Sequence, residues 1–354
     1  MEKVGRGCER EFGRWVYFAN MPTTTQTIGC RWTHVRRIAA LGEPLLELQP
    51  TDDGQIRVAF GGDAANVAVC LARLLGTSKV QISVVTALGQ SSYSDWLRAR
   101  LTREGIRVTE APIAGEPGIY GIPLDAPRQA TDRRGQATFS YWRTQSAARQ
   151  FLQSAQLQHF QELLGQPDLL LISGIALALC STASFESLCE WIQLHRHECS
   201  VIFDCNYRKA LWPSDQHARD RIGTFEKLAS VIATGVEDER LLWDAADTTE
   251  IIKRVGSMGV EYIVRGGRAG CWAGVGEQWD HVASIPVQAI DTAGAGDAHL
   301  AGYVAARVSG CGRAESAEFA NTVAAVIVSQ HGSAAVEGAA FPALPGTSPT
   351  PEPR

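Results

Sequence analysis

Leu169-Leu170-Leu171-Ile172-Ser173 carries no polar side chain until its last residue, and Val201-Ile202-Phe203-Asp204 repeats the pattern. Neither run alternates. A strand with one face in water shows a polar residue at every second position. A strand that is apolar throughout is covered on both faces, as in a parallel sheet between helices. Further β-rich runs lie outward from these two, at 37–41, 81–88, 230–233 and 261–265. Helical patterns fall between them. Val67, Leu71, Leu74 and Leu75 recur at i, i+4, i+7 and i+8, as do Phe319, Val323, Val326 and Ile327. That spacing makes one apolar face at a 3.6-residue period. The alternation of strands and helices predicts a doubly wound α/β domain.

Residues 108–141 break the pattern with several Pro and Gly and little helical period. Phe139, Tyr141 and Arg143 alternate there, which predicts an antiparallel excursion off the main sheet, interrupted by a polar loop at 128–136. No internal repeat is present.

The 354 residues are 45% hydrophobic and 20% charged, enough apolar material for a large core. Length suggests about two domains, although α/β folds reach this size as one. Lys plus Arg is 33 against 38 Asp plus Glu, a formal charge of −5, so nucleic acid is excluded as the main partner. No apolar run is long enough to span a bilayer, so no membrane partner is expected. The nine Cys form no CxxC pair and are odd in number, which fits a reduced cytoplasmic protein better than a disulfide or zinc framework. Residues 1–35 read as a disordered extension. Its one apolar patch, 15–19, is too short for a signal peptide, and Met21 is a candidate start. The Pro-rich tail from 341 to 354 reads as disordered. The domain itself is expected over 36–340.

Asp291-Thr292-Ala293-Gly294-Ala295-Gly296-Asp297 precedes the helical pattern AHLAGYVAARV. Small residues before a helix let backbone N–H groups converge, and with the helix dipole they form an anion site. Asp297 at the helix start could then take a proton from an attacking hydroxyl. The plainer alternative is a Gly-rich turn with Asp297 as an N-cap. No Gly-Lys-Ser/Thr follows, so this is not a Walker A loop. His299 stands where a dinucleotide fingerprint has its third Gly. A second element, Phe60-Gly61-Gly62-Asp63-Ala64-Ala65-Asn66, opens the Val67–Leu75 helical run. It offers main chain for a ligand to lie against, with Asp63 and Asn66 suited to sugar hydroxyls. It could equally be a strand-to-helix turn capped by Asp63.

In this order and separation the two elements resemble the ribokinase-like (PfkB) carbohydrate kinase family, over about residues 37–338. Ala40-Leu41-Gly42-Glu43-Pro44 is similar to the family's opening strand, and Val84-Val85-Thr86-Ala87-Leu88-Gly89 to its second. Thr138-Phe139-Ser140-Tyr141-Trp142-Arg143 with Ser146-Ala147-Ala148, then Ser173-Gly174-Ile175, and then Phe203-Asp204-Cys205-Asn206-Tyr207-Arg208-Lys209-Ala210-Leu211-Trp212, resemble segments of the 2-keto-3-deoxygluconate kinases of that family.

The resemblance implies a ribokinase-like Rossmann-type α/β sandwich with a small antiparallel β-lid, formed from about 45–60 and 108–145. It implies ATP-dependent phosphorylation of 2-keto-3-deoxy-D-gluconate at its terminal hydroxyl, with Mg²⁺ and a monovalent cation as cofactors. Asp297 takes the catalytic-base position, and Gly294, Ala295 and Gly296 take the anion-hole positions. Gly62, Asn66, Tyr120, Tyr141, Arg143 and Arg208 fall at substrate-binding positions. Arg265 and Gly267 stand in the turn that lines the nucleotide site, and Asn321 lies in the helix flanking the adenine pocket, although a surface helix position suits it equally. Glu239 stands where a glutamate orders Mg²⁺ through water, with Val236 replacing that motif's Asn. The Asp291 loop and segment 330–333 are the place for a monovalent cation, and pairing of lids implies a homodimer.

Tyr141 and Arg143 share one face of an extended segment, and Asn206 and Arg208 have the same i, i+2 relation just past a strand end. Two arginines meeting over one cleft suit a sugar acid, unless each is paired with a nearby Asp or Glu. His299 is read as a plain helix-face residue, Cys70 and Cys205 as packing residues, and Asp204 as a residue that orders the 206–208 turn. The rival readings are a kinase for a neutral sugar (fructose or ribose) or a nucleoside, and a regulator that binds sugar or nucleotide without catalysis. An intact GAGD argues against the regulator.

Overall fold

The computed structural model describes residues 29–51, 53–122, 139–330, 332 and 340–346. In chain order the elements are β1 (Arg37–Leu41), β2 (Leu45–Pro50), β3 (Ile56–Gly61), α1 (Asp63–Leu75), β4 (Gln81–Thr86), α2 (Ser92–Arg103), β5 (Arg107–Glu110), β6 (Gly118–Gly121) and β7 (Ser140–Trp142). There follow α3 (Ala147–Ser154), α4 (Leu157–Leu164), β8 (Leu169–Ser173), α5 (Gly174–Leu179), α6 (Thr182–His195), β9 (Ser200–Asp204), α7 (Asp215–Glu226), β10 (Val231–Gly235) and α8 (Val236–Trp243). The chain continues through α9 (Thr248–Gly256), β11 (Glu261–Arg265), β12 (Cys271–Val275), β13 (Gln278–Val282), α10 (Ala295–Val308) and α11 (Arg313–Val328).

The apolar runs form the middle of a nine-stranded sheet ordered β13-β12-β11-β10-β9-β8-β1-β4-β5. From β11 to β5 every neighbouring pair is parallel, and β12 and β13 close one edge antiparallel. Leu169 and Leu171 of β8 pack into the core beneath α1, α2, α10 and α11. Leu170 and Ile172 pack into the opposite core, beneath the helices α3 to α9. Both faces of the strand are therefore dry, which is why it does not alternate.

A second sheet, ordered β3-β2-β6-β7, stands off the first. It corrects two expectations. β5 pairs with β4 in the main sheet, so the excursion starts at Gly118 rather than near 108. Its central pair, β2 with β6, is parallel. The reason is connectivity: β2 follows β1 and β6 follows β5, two strands that point the same way and deliver their continuations in the same direction. The polar loop at 128–136 lies outside the described residues, as do Met21 and Cys8.

Both chain ends reach further into the fold than their composition suggests. Trp32 is buried, donates from Nε1 to Glu261 at 3.2 Å, meets Tyr303 edge-on at 6.4 Å and lies under the Arg307 guanidinium. Val35 is buried beside it. The expected extension 1–35 thus ends several residues early. At the other end Phe341 and Leu344 pack against the core, with Arg73 over the Phe341 ring at 5.8 Å. A few large apolar side chains in a polar stretch suffice to dock it.

Candidate active site

α10 begins at a break. Gly294, its N-cap, sits at φ 72° in the left-handed region, and no side chain caps the helix. The first-turn N–H groups have no acceptor within the helix and converge ahead of it. Asp297 lies in that turn, buried, and its Oδ2 accepts from Asn66 Nδ2 of α1 at 2.8 Å. Burial, and then the negative charge of Asp63, push the Asp297 carboxyl up to about 7, with Asp204 acting in the same direction and Asn66 and Arg265 against it. Asp63 opens α1 and accepts a hydrogen bond from the Ser173 hydroxyl at the end of β8. Its own carboxyl is also pushed up by burial. Asp63, Ser173, Asp204, Asn206 and Asp297 line an open cleft. The cleft lies beyond the C-terminal ends of β1, β8 and β9, where open parallel sheets place their ligands.

On the lid, Arg143 lies over the Tyr141 ring at 5.9 Å. Burial raises the Tyr141 hydroxyl pKa, Arg208 and Arg143 lower it and Asp63 raises it, so these charges lie within electrostatic range of the lid tyrosine. The two arginines differ from expectation, because each has a carboxylate partner. Arg143 is buried in an ion pair with Glu43, which also accepts from Ser146 Oγ. A buried Glu43 carboxylate needs that partner. Arg208 is half exposed. It donates to the Tyr207 carbonyl at 3.0 Å and stands 3.6 Å from Asp238, a loose pair that leaves most of its fork open.

Several sequence-predicted residues turn elsewhere. Gly62 has φ 97°, and a Cβ there would overlap the Glu43 carbonyl. Chain packing at that point leaves no room for a side chain. The Tyr120 hydroxyl donates to Glu47 inside the lid, and its ring packs on Phe139 and Tyr141. Arg265 does not face outward from its turn. It donates to Asp204 at 2.8 and 2.5 Å and to the Gly296 carbonyl at 2.9 Å. Asp204 is therefore an ion-pair partner and not the organiser of the 206–208 turn. Asn206 itself adopts φ 35° in that turn, buried against the cleft. Gly267 remains in the turn with open space where a Cβ would point. Asn321 is buried rather than on the surface, and its amide donates to the Val282 and Ala283 carbonyls while its oxygen meets His299. His299 is likewise buried, which pushes its imidazole down to about 3.

Glu239 does not fit the metal role. Its carboxylate is fully buried and accepts from Thr234 at 2.9 Å and from the Arg254 fork at 2.6 and 2.7 Å. Arg254 holds Glu226 in the same grip. Among the described residues no cluster of three or more His, Cys, Asp or Glu could hold a metal ion. Asp291 accepts from the backbone N–H groups of Ala293 and Gly332, tying the anion loop to the end of α11. Ser333 of the expected cation segment lies outside the described residues.

Residues 36–338 match the pfkB family of carbohydrate kinases. The chain is a pfkB family carbohydrate kinase. It is 32% identical over 305 residues to the 2-dehydro-3-deoxygluconokinase of Dickeya dadantii, covering 84% of this chain and 96% of that one. Its identity to the Escherichia coli K12 protein of the same name is 32% over 320 residues, covering 87% and 99%. The Klebsiella pneumoniae fructokinase is more distant, at 29% over 273 residues, 76% of this chain and 83% of the other. The structure of aminoimidazole riboside kinase from Salmonella enterica shares the fold, with a TM-score of 0.69 at 22% identity over 87% of this chain and 97% of that chain. The sequence reading did not single out Asp204 and Ser173 for the cleft. Their position at the last residue of a buried strand was the available signal.

Proposed function

We propose that this kinase transfers the γ-phosphoryl group of ATP to the terminal hydroxyl of 2-keto-3-deoxy-D-gluconate, giving 2-keto-3-deoxy-6-phosphogluconate and ADP. The observation that carries the reading is Arg208, half exposed and only loosely paired with Asp238, its guanidinium open within electrostatic range of Tyr141 while Asp63 and Asp297 line the cleft. A neutral sugar offers a guanidinium no charge, whereas a sugar acid does. The names of its relatives in Dickeya dadantii and Escherichia coli support the same acceptor.

In the proposed step Asp297 accepts the hydroxyl proton as that oxygen attacks the γ-phosphorus. The new O–P bond forms while the bridging P–O bond to the β-phosphate breaks, and ADP leaves. A carboxyl held near 7 by burial suits a base working at neutral pH. The first-turn N–H groups of α10 face the transferred oxygens, where charge develops. The lid limits water and thus wasteful hydrolysis. Glu239 is committed to Arg254 and is given no role toward Mg²⁺.

The test is turnover with 2-keto-3-deoxygluconate, fructose, ribose and adenosine, followed by ADP release. The sugar acid is expected to lead in kcat/KM, and Arg208→Ala to raise its KM at least tenfold while leaving the KM for ATP within about twofold. A lead for fructose or ribose would remove the acceptor assignment and leave the kinase. We also propose a homodimer through the lids, whose outer residues Ile56, Val58 and Trp142 are exposed. A light-scattering mass of one chain would dismiss it. The eight described cysteines are all free thiols, in keeping with the proposed cytoplasmic location.

A further inference from the structure

Arg265 ends β11, Asp204 ends β9 and Gly296 belongs to the anion loop, three segments that no local sequence feature links. One guanidinium joins them. Its Nη1 donates to Asp204 Oδ2 at 2.8 Å and to the Gly296 carbonyl at 2.9 Å, and its Nη2 donates to Asp204 Oδ1 at 2.5 Å. The Arg265 side chain is 14% exposed and that of Asp204 is 6% exposed. Gly296 cannot carry a side chain without crowding this guanidinium, because a Cβ would come within 3.3 Å of Nη1. A planar fork that holds a carboxylate bidentately while bonding a backbone carbonyl is geometry that a lysine ammonium does not reproduce.

We propose that Arg265 is a positioning residue for phosphoryl transfer, fastening the 294–297 loop to the end of β9 and supplying the fixed positive charge that faces Asp297. This rests on Asp297 being the base. The loop owes its shape to Gly294 in a left-handed conformation and has no side-chain cap, so it needs an anchor from outside the helix. Arg265 is that anchor on the sheet side, as Asp291 is on the α11 side. The groups facing Asp297 are Asp63, Asn66 and Cys70 from α1, Asp204 from β9 and Arg265 from β11. Arg265 favours the ionised base, while Asp204 and Asp63 oppose it. The two ends of one ion pair therefore act on the base in opposite directions.

The experiment measures kcat/KM between pH 5 and 9 at saturating ATP, using the best acceptor of the substrate panel, for Arg265→Met, Arg265→Lys and Asp204→Asn. Thermal melting and ADP affinity serve as folding controls. Arg265→Met is expected to move the acid limb up by about one pH unit or more and to cut kcat at least tenfold. Asp204→Asn is expected to move the limb down. Arg265→Lys keeps the charge, so its limb stays near that of the parent while kcat still falls. General damage to the fold would not shift the limb in opposite directions for two partners of one pair. A raised KM for ATP with kcat and the acid limb unchanged in Arg265→Met would make Arg265 a nucleotide-turn residue only and overturn the inference. Near-normal turnover by Asp297→Asn would remove the base assignment and this inference with it, while the acceptor still rests on the substrate panel.

Discussion

Replacing Asp297 by Asn should make the protein less active and more stable at the same time. In the folded chain the carboxyl is raised from 3.8 to about 7, chiefly by burial. In the unfolded chain it ionises in the ordinary range near 4. Below pH 4 both states carry the proton and the group contributes no difference. Between about pH 4 and 7 only the folded state holds it, so stability falls as pH rises, and above 7 the loss is complete. A shift of about three pH units at 1.36 kcal/mol each caps the loss at about 4 kcal/mol. The new amide oxygen can accept the same bond from Asn66 Nδ2, so that contact is kept. At about 2–4 °C per kcal/mol, Asp297→Asn should melt several degrees above the parent at pH 8 and nearly with it at pH 4.5. Its turnover should fall about 10²–10⁴-fold. Differential scanning calorimetry at the two pH values, together with an ADP-release assay, measures both effects. If the melting difference does not grow between pH 4.5 and 8, Asp297 is not held as a destabilised buried carboxylate, and the argument for a base tuned to neutral pH fails.

Arg254→Met removes the single cation shared by the fully buried Glu226 and Glu239. Two uncompensated buried charges should cost about 3–5 kcal/mol in urea unfolding, and the triple variant with Glu226→Gln and Glu239→Gln should recover most of it. Gly62→Ala combines φ 97° with a clash against the Glu43 carbonyl, so a loss of about 3 kcal/mol or insoluble protein is expected. Gly267→Ala, at φ 58° with no neighbour near the added methyl, should lose about 1 kcal/mol by the same measurement.

What could be read from the sequence was whatever is periodic or local. β8 and β9 show their double burial in five consecutive residues each. The GAGD turn announces a helix start because only small residues tolerate φ 72° and converging amides. The central pairing of the lid could not be read: β7 has three residues, and the direction of β6 follows from β5, whose place in the main sheet its sequence does not show. Ion pairs across the fold were equally hidden. Arg265 and Asp204 are 61 residues apart, and nothing local says that the arginine turns inward rather than toward a nucleotide. Glu239 sits where a resembling family keeps a metal-ordering glutamate, yet Arg254, fifteen residues on, captures it. Residue identity gives a site its inventory of charges, and tertiary contacts decide which of them are free to act.

That distinction bears on how an acidic cleft could accept two anions. Asp63, Asp204, Asp238 and Asp297 crowd the ends of the strands, and taken at face value four carboxylates would repel a triphosphate and a sugar acid alike. The structure removes most of that charge. Asp204 is closed off by the Arg265 fork. Asp238 is half-buried, raised to about 6, and faces Arg208. Asp63 and Asp297 are both raised by burial, and the charge of Asp63 raises Asp297 further, to about 7, which favours its protonated form below that pH. The arriving ligands therefore meet a cleft much less negative than its composition.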